Sequence, residues 1–212
     1  IWAGGGGETI EERTWDNTIV WSYQLNDSNG RFHHDFSVMP NGNVLAIAWE
    51  AIDSATAIAN GRDPNLLPDG VVWPDMILEL QPDGLGTANI AWEWHAWDHL
   101  VQDYDSTKAN FGVISDHPEL IDINYDDGAG EADWHHMNAM DYHPDLDQIM
   151  LSVPSFNELA RDGLDCERYN MLNPSKKDKV PYITSTLEAG FDGPTIAATD
   201  YIKSYTDQVR AF

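Results

Sequence analysis

Histidines gathered among carboxylates and tryptophans are the part of this sequence that could do chemistry. All eight histidines and nine tryptophans precede residue 144, and most of the histidines lie in three strings. These strings are FHHDF (32–36), WEWHAWDHL (92–100) and DWHHMNAMDY (133–142). Because imidazole titrates near neutrality, such clusters suit proton, metal or group transfer. The sequence therefore predicts a histidine-based site in the first two thirds of the chain.

Two histidine pairs, His33-His34 and His135-His136, are the leading candidates. A neutral imidazole can attack an electron-poor centre or give a proton to a leaving group, and a carboxylate can fix its tautomer. Asp35 and Asp133 lie close enough in sequence for that second role. Strand neighbours face opposite sides, so only one histidine of each pair should face the site. The plainer alternative is that all these histidines only satisfy hydrogen bonds between strands.

Metal binding is a rival use of the same residue types. His95 and His99 are spaced i, i+4, which would place both on one face of a helix as zinc ligands, but the flanking tryptophans favour an extended segment. Asp122, Asn124 and Asp126 alternate as the oxygen ligands of a calcium loop do. The following glycine comes one place late for that loop, so a solvated acidic loop is the simpler interpretation. We predict no cofactor, with calcium as the alternative.

Charge is distributed very unevenly along the chain. Residues 1–158 contain 28 acidic and four basic side chains, whereas residues 159–212 contain eight and seven. The first part is so acidic that it should repel nucleic acid, because phosphate binding needs clustered lysine and arginine. No apolar run of 18 residues exists, so we expect no membrane span. The single cysteine, Cys166, cannot form an internal disulfide.

Short β-type runs separated by turns must position the histidines. Branched and aromatic residues predict strands at 19–23, 44–49, 75–80, 89–94 and 148–153. Tight turns are predicted where proline, asparagine, aspartate and glycine cluster, at 40–43 and 82–84. The first part of the chain is therefore expected to be all-β.

A repeat connects the two histidine pairs. TIVWSY (18–23) leads to His33-His34 and then VLAIAW, while NIAWEW (89–94) leads, after an insertion, to His135-His136 and then IMLSV. Internal similarity of this kind is typical of a β-propeller. We count about two blades, which is too few to close, so missing segments or other chains should complete the array. The insertion, residues 103–133, should lie over one face, where functional loops concentrate.

The hydrophobic pattern of the sequence changes after residue 154. SFNELARDGLDCERYNML has approximate helical spacing with Ser155 as a plausible N-cap, and a short helix is predicted at 181–189. We therefore divide the chain into residues 1–154, an incomplete propeller, and residues 155–212, an α/β tail.

Three motifs of the first part carry a resemblance: HHDFSVMPNGNVLAIAWE, IAWEWHAWDHLVQDYD and DWHHMNAMDYHPDLDQIMLSVPSFNE. Over about residues 15–158 the chain resembles the bacterial arylsulfotransferases. The resemblance implies a six-bladed propeller, exported to the periplasm or secreted, that moves a sulfuryl group between phenols through a sulfated histidine. It places His34 and His136 at positions of histidines lining that site, with a lesser case for His99 of WDHL. His33 and His135 should then face the other side of their strands.

Two departures from that family pattern bear on activity. Val153-Pro154 stands where some members have an arginine, and the later part that carries the nucleophilic histidine is not found in this sequence. We therefore expect a propeller with a phenolic or anionic ligand but no turnover by this chain. The alternative is a non-catalytic binding module that uses residues 103–133.

The tail carries an unrelated resemblance. SFNELARDGLDCERYNMLNP, VPYITSTLE and GPTIAATDYIKSYTDQVRAF are similar to the C-terminal domain of the homodimeric pyruvate dehydrogenase decarboxylating component, over about residues 155–212. This makes a fragment of that complex a further alternative. Because neither part is a complete domain, we interpret the chain as a chimera of two partial proteins.

Overall fold

The computed structural model describes residues 2–3, 9–25, 30–117, 120–125, 131–144, 147–156, 158–161 and 183–185. These residues are mainly β, as predicted, and three antiparallel sheets dominate them. The first sheet has three strands, β1 (Trp2–Ala3), β2 (Thr9–Arg13) and β3 (Ile19–Gln24). The second, which carries the predicted site, has four strands in the order β4, β5, β8 and β9. Their bounds are Gly30–Val38, Val44–Glu50, Asp75–Pro82 and Ala88–His95.

The third sheet repeats the four-stranded pattern. Its strands follow one another in chain order as β12 (Ala139–His143), β13 (Gln148–Val153), β14 (Glu158–Arg161) and β15 (Ile183–Ser185). The remaining short elements lie between strands of these sheets. They are β6 (Ile52–Asp53), α1 (Ser54–Ala59), β7 (Val71–Val72), β10 (Leu100–Val101), β11 (Ile121–Asp122) and 3-10 turns at Pro64–Leu66, Ala96–Asp98, Ile114–Asp116 and Pro154–Phe156.

The second sheet is covered on both faces, which explains the continuous apolar runs of its central strands. On β5, Leu45 and Ile47 face one hydrophobic cluster, whereas Val44, Ala46 and Ala48 face the other. The first cluster contains Trp92 and Trp94 of β9 together with side chains of β12 and β13. These tryptophans are thus packing residues and do not form an open wall for an aromatic ligand.

Neighbouring sheets meet through their corresponding strands. The backbone N–H of Met140 on β12 donates to Asp35 Oδ2 on β4 over 2.8 Å, so the first strands of the second and third sheets lie together. At the other side, Ser22 N–H on β3 donates to the carbonyl of Gly86 in the β8–β9 turn over 3.1 Å. The two histidine pairs take corresponding places in this arrangement. His33-His34 lies in β4, the first strand of the second sheet, and His135-His136 lies just before β12, the first strand of the third sheet.

The five predicted strands are all confirmed within a residue or two of their bounds. The turns are confirmed as well, because Gly42, with φ of +87°, closes the β4–β5 turn, and Asp83 accepts the backbone N–H groups of Leu85 and Thr87. The sequence did not predict β2, β4 or β12 as strands. In β4 the string FHHDF lacks alternation, since three consecutive residues occupy the space opposite one residue of β5.

The helices predicted after residue 154 were wrong where the structure describes them. Both described segments are strands. β14 (Glu158–Arg161) pairs antiparallel with β13, and β15 (Ile183–Ser185) pairs antiparallel with β14. The open edge of β13 offers unpaired backbone groups, and pairing with it overrides a weak helical pattern. The rest of the predicted α/β tail lies outside the described residues. No helix within the described part of the chain is long and apolar enough to cross a bilayer.

Candidate functional site

A bulge in β4 positions the first histidine pair. Phe32 pairs with Ala48 and Phe36 with Ala46, so residues 33–35 stand opposite the single residue Ile47. A bulge re-aims side chains that regular pleating would alternate. As a result His33 is buried, with 4% of its surface exposed, while His34 is exposed.

The second pair lies in the loop before β12, where a carboxylate and an indole organise it. Asp133 Oδ2 lies 2.5 Å from His136 Nδ1, and its Oδ1 accepts a hydrogen bond from the Trp49 indole N–H over 3.0 Å. The expectation that Asp133 would hold a histidine tautomer agrees with this geometry. Asp35 does not do so, because it accepts the backbone N–H groups of Met140 and Phe36.

His34 and His136 come together although they are about 100 residues apart in sequence. Their ring centroids are 4.6 Å apart with the rings at 73°. Both have left-handed backbone, with φ of +51° and +53°. That conformation is uncommon and strained for residues other than glycine, and such strain concentrates at functional sites. The repeat therefore brings one solvent-accessible imidazole from β4 and one from the loop before β12 to the same place.

A buried acid stands behind His34. Asp75, the first residue of β8, has none of its surface exposed, and its Oδ1 lies 2.7 Å from Nε2 of His33. The other nitrogen of His33, Nδ1, is 2.8 Å from Nδ1 of His34. The His33 ring also stacks on Trp49 at 3.9 Å and 9°. The groups thus form one continuous row from the protein interior to the surface.

Burial sets the charge states in this row. It lowers the pKa of His33 to about 4 and raises the pKa of Asp75 well above its usual range. The pKa of His34 is also lowered, first by burial and then by the neighbouring His33 and His136. Imidazolium is therefore disfavoured at His33 and His34, and a proton is tolerated on the Asp75 carboxyl.

His135 has a structural role. It is fully buried beside Trp134 and Phe156, and its Nδ1 accepts the backbone N–H of Asp75 over 3.3 Å. Burial and the nearby guanidinium of Arg62 lower the pKa of His135 to about 3. This histidine is neutral at physiological pH and connects the loop before β12 to β8.

The structure does not bring His99 to the other two candidates. Its ring stacks on Trp94 at 5.4 Å and 9°, and burial lowers its pKa to about 4. His95 instead contacts Glu50, with 3.1 Å between His95 Nδ1 and Glu50 Oε2. The i, i+4 pair does not lie on a helix, because His95 ends β9 and a 3-10 turn separates it from His99. No group of three or more metal-ligating side chains was found among the described residues.

The acidic segment proposed for calcium holds the insertion in place. Asn124 accepts the Asp63 backbone N–H over 2.7 Å and donates to the Gly61 carbonyl over 2.9 Å, so its amide is already engaged. Burial raises the pKa of Asp122, which does not favour the charged form that calcium needs. The third candidate, Asp126, lies outside the described residues.

Sequence reasoning missed Asp75 and Trp49. Asp75 begins a predicted strand, and nothing local marks it as a partner of His33, 42 residues earlier. Trp49 lies one residue before the end of the neighbouring strand and pairs with Asp75 in register. The one sequence signal was their place in the predicted strands. Trp49 lies near the end of one strand and Asp75 at the start of the next, on the same side of the sheet as the histidines.

The structure is that of a β protein built from repeated antiparallel sheets. Each of two repeats contributes one histidine to a site that they share. The chain belongs to the arylsulfotransferase family, because the family model described as Arylsulfotransferase (ASST) matches residues 17–157, well over half of the chain.

Curated proteins of another kind also match, consistent with the second resemblance. The pyruvate dehydrogenase E1 component of Haemophilus influenzae is 52% identical over 63 residues, 30% of this chain and 7% of that protein. Those of Escherichia coli K12 and Pseudomonas aeruginosa are 49% identical over 74 residues and 56% over 59 residues, covering 35% and 28% of this chain and 8% and 7% of those proteins. The chain therefore combines an arylsulfotransferase segment with a short segment similar to these E1 components.

Proposed function

We propose that His34 and His136 bind the sulfuryl group of an aryl sulfate, in a propeller of the six-bladed type whose activity is transfer between phenols. The observation that carries the proposal is the meeting of the two imidazoles, at 4.6 Å, with the same left-handed backbone in two repeats. Family membership supplies the reaction class. We expect the protein to act in the periplasm or outside the cell.

The transfer would proceed in two balanced steps. A histidine nitrogen attacks sulfur, the sulfur–oxygen bond of the donor breaks, and the departing phenolate takes a proton. An acceptor phenol then loses its proton and takes the sulfuryl group from the histidine. In our proposal His34 and His136 hold the sulfuryl oxygens and exchange the proton with the phenol oxygen, whereas the nucleophilic histidine belongs to family sequence beyond residues 17–157. We therefore expect the 212-residue chain to bind an aryl sulfate without turning it over.

Binding of 4-nitrophenyl sulfate, measured by calorimetry at pH 7, tests the proposal. Alanine in place of His34 or His136 should weaken binding about tenfold or more, because each removes a hydrogen bond to a charged group. His117→Ala, in the insertion, is the matched control and should bind as the parent chain does. Unchanged affinity in both H34A and H136A would overturn the proposal.

The same experiment distinguishes the second candidate, a binding module without catalysis that uses residues 103–133. Arg62 favours it, since this buried cation donates to the Ile123 carbonyl, lies 5.2 Å from the Trp134 ring and thereby fixes the insertion on the sheets. Binding that is lost in H117A and retained in H34A would support this candidate. Release of 4-nitrophenol by the parent chain would contradict the predicted lack of turnover.

We further propose that residues 1–154 and 155–212 come from two different proteins. The matches to two unrelated kinds of protein support this division. If residues 155–212 are instead the functional part, the chain is a fragment of a pyruvate dehydrogenase complex component. Peptide mass mapping across residues 153–162 tests the junction, because a spanning peptide would establish one continuous polypeptide and its absence would expose a composite.

A further inference from the structure

We propose that Asp75 and His33 are positioning residues of a proton relay, which switches Nε2 of His34 between a proton acceptor and a proton donor. The relay deepens the proposed function and rests on it for its use. Neither residue is expected to touch the substrate. Their effect is to decide which nitrogen of His34 carries a proton when a phenol oxygen arrives or leaves.

The geometry restricts where protons can be. Asp75 Oδ2 accepts the backbone N–H of Met137 over 2.9 Å, so only Oδ1 is free to take a proton. Oδ1 faces His33 Nε2 at 2.7 Å, and neither atom has another hydrogen-bond partner in the described part of the chain. The ring N–H is not aligned with that oxygen in the structure, so the relay requires the His33 ring or the Asp75 carboxyl to shift until the two groups bond. Leaving both atoms unpaired is unfavourable, because a buried polar group without a partner has lost its hydrogen bonds to water.

The contact between the histidines adds a second restriction. With 2.8 Å between the two Nδ1 atoms, one of them must donate and the other accept. The stack on Trp49 holds the His33 ring flat against the indole, and the bulge holds His34 in its left-handed conformation. His33 therefore cannot change its tautomer without a matching change at both neighbours.

Two arrangements satisfy every group. In the first, the Asp75 carboxylate accepts from His33 Nε2–H, His33 Nδ1 accepts from His34 Nδ1–H, and His34 Nε2 presents a lone pair. In the second, the Asp75 carboxyl donates to His33 Nε2, His33 Nδ1–H donates to His34 Nδ1, and His34 carries Nε2–H. The first holds two protons and one negative charge, and the second holds three protons and is neutral. One proton taken up at His34 Nε2 converts the first into the second.

The surrounding charges favour this route over formation of an imidazolium. Burial lowers the pKa of His33 to about 4 and raises that of Asp75, so an added proton is better placed on the carboxyl. Asp133 and His136 face the row from the loop before β12, and their opposite effects on Asp75 partly cancel. His135, which accepts the Asp75 N–H, stays neutral. A proton drawn from an acceptor phenol thus ends as a neutral buried acid, and it returns when a phenolate leaves.

Nitrogen NMR of the ¹⁵N-histidine-labelled full chain tests the relay without any ligand. As the pH falls from about 10 to 5, His34 should stay neutral and exchange Nδ1–H for Nε2–H, with His33 changing in the opposite sense. Asp75→Asn cannot take up a proton and should abolish the exchange. His33→Asn keeps an amide beside His34 and breaks the link to Asp75, so it should do the same if the first variant does not fold.

Asp133→Asn is the matched control, because it removes a neighbouring carboxylate whose charge acts on His33, His34 and Asp75 but which is not in the row. The exchange should persist in D133N. An imidazolium at His34 with no exchange of tautomers in the parent chain, or an exchange that survives in D75N, would overturn the relay. Aryl sulfate binding is read separately: binding without the exchange refutes only the relay, whereas the exchange without binding refutes the proposed function.

Discussion

The two histidine pairs share sequence and backbone, but they differ in what holds the second imidazole. At His136 the Nδ1 atom lies against a carboxylate, Asp133, and the first histidine of the pair plays no part in that contact. At His34 the Nδ1 atom lies against His33, the first histidine of its own pair. The nearest carboxylate in that row, Asp75, contacts the far side of the His33 ring and not His34 itself. The difference indicates that a repeat can conserve position while assigning different proton chemistry to each copy.

The first histidines also differ. His33 uses both ring nitrogens within the row that ends at Asp75, whereas His135 accepts a backbone N–H and packs among aromatic rings. One pair therefore couples the interior to the surface, and the other fixes the loop that carries His136. We expect this asymmetry to show in stability and in pH dependence.

The largest effect should be a loss of stability at low pH that is caused by His135. Its lowered pKa means that the folded state resists a proton which the unfolded state accepts, so this stability is present above pH 6.5 and is lost toward the folded pKa of about 3. Between pH 6.5 and 4.5 the loss should be about 2 kcal/mol. Urea unfolding at both pH values measures it. In His135→Gln the decline should be smaller by that amount, and an equal decline in both proteins would contradict the assignment.

The contact between Trp49 and Asp133 should couple the two pairs measurably. Trp49→Phe removes the indole N–H that Asp133 accepts, and Asp133→Ala removes the acceptor. A double-mutant cycle at pH 7 should give a coupling of about 1 kcal/mol. Trp73→Phe in the same cycle is the control, since that ring lies beside Trp49 without a described bond to Asp133. Equal coupling for both tryptophans would mean that packing, and not the hydrogen bond, joins the pairs.

Backbone strain should be the same in both repeats. Because His34 and His136 have φ near +50°, glycine at either position should be more stable than alanine by about 1 kcal/mol. Thermal unfolding of the four variants measures the two differences. Asp35, which is not among the residues of positive φ, should show the opposite order. Unequal gains at 34 and 136 would show that the shared conformation is imposed by different forces.

The smallest effect should be at His95, where the sign reverses. The hydrogen bond that the His95 ring donates to the Glu50 carboxylate raises the pKa of His95. Its contribution to stability is therefore present below pH 6.5 and is lost as the pH rises through the raised value. His95→Gln should therefore cost a few tenths of a kcal/mol more at pH 5.5 than at pH 8, a small value because the pair is partly exposed. A larger cost at pH 8 would remove the distinction between this histidine and the buried ones.

Local sequence could predict much of the sheet structure. Val44–Glu50 and Asp75–Pro82 are rich in branched and aromatic residues, and the turns between strands carry the residues that turns require. The strand β4 escaped prediction because its bulge interrupts the alternation around His34. The tail strands escaped because their pairing depends on the exposed edge of β13, which no local pattern reports.

The candidate site was predictable only in part. The repeat singled out the two histidine pairs, the family resemblance selected His34 and His136 within them, and sequence proximity suggested Asp133 for His136. His99 was chosen on the same family resemblance, yet it stacks on Trp94 away from the pair. A motif specifies residue type and order, but it does not specify which end of a strand a side chain reaches.

The sequence by itself determined the mainly β character, the two repeats and the histidine in each, because alternation and turn chemistry act over a few residues. Only the tertiary structure decided that Asp75 and Trp49 belong with them. Asp75 is charged when isolated in water, and it becomes a buried partner of His33 only when β4, β5 and β8 pair in register. Burial and distance, which set proton positions, exist only once those strands have come together.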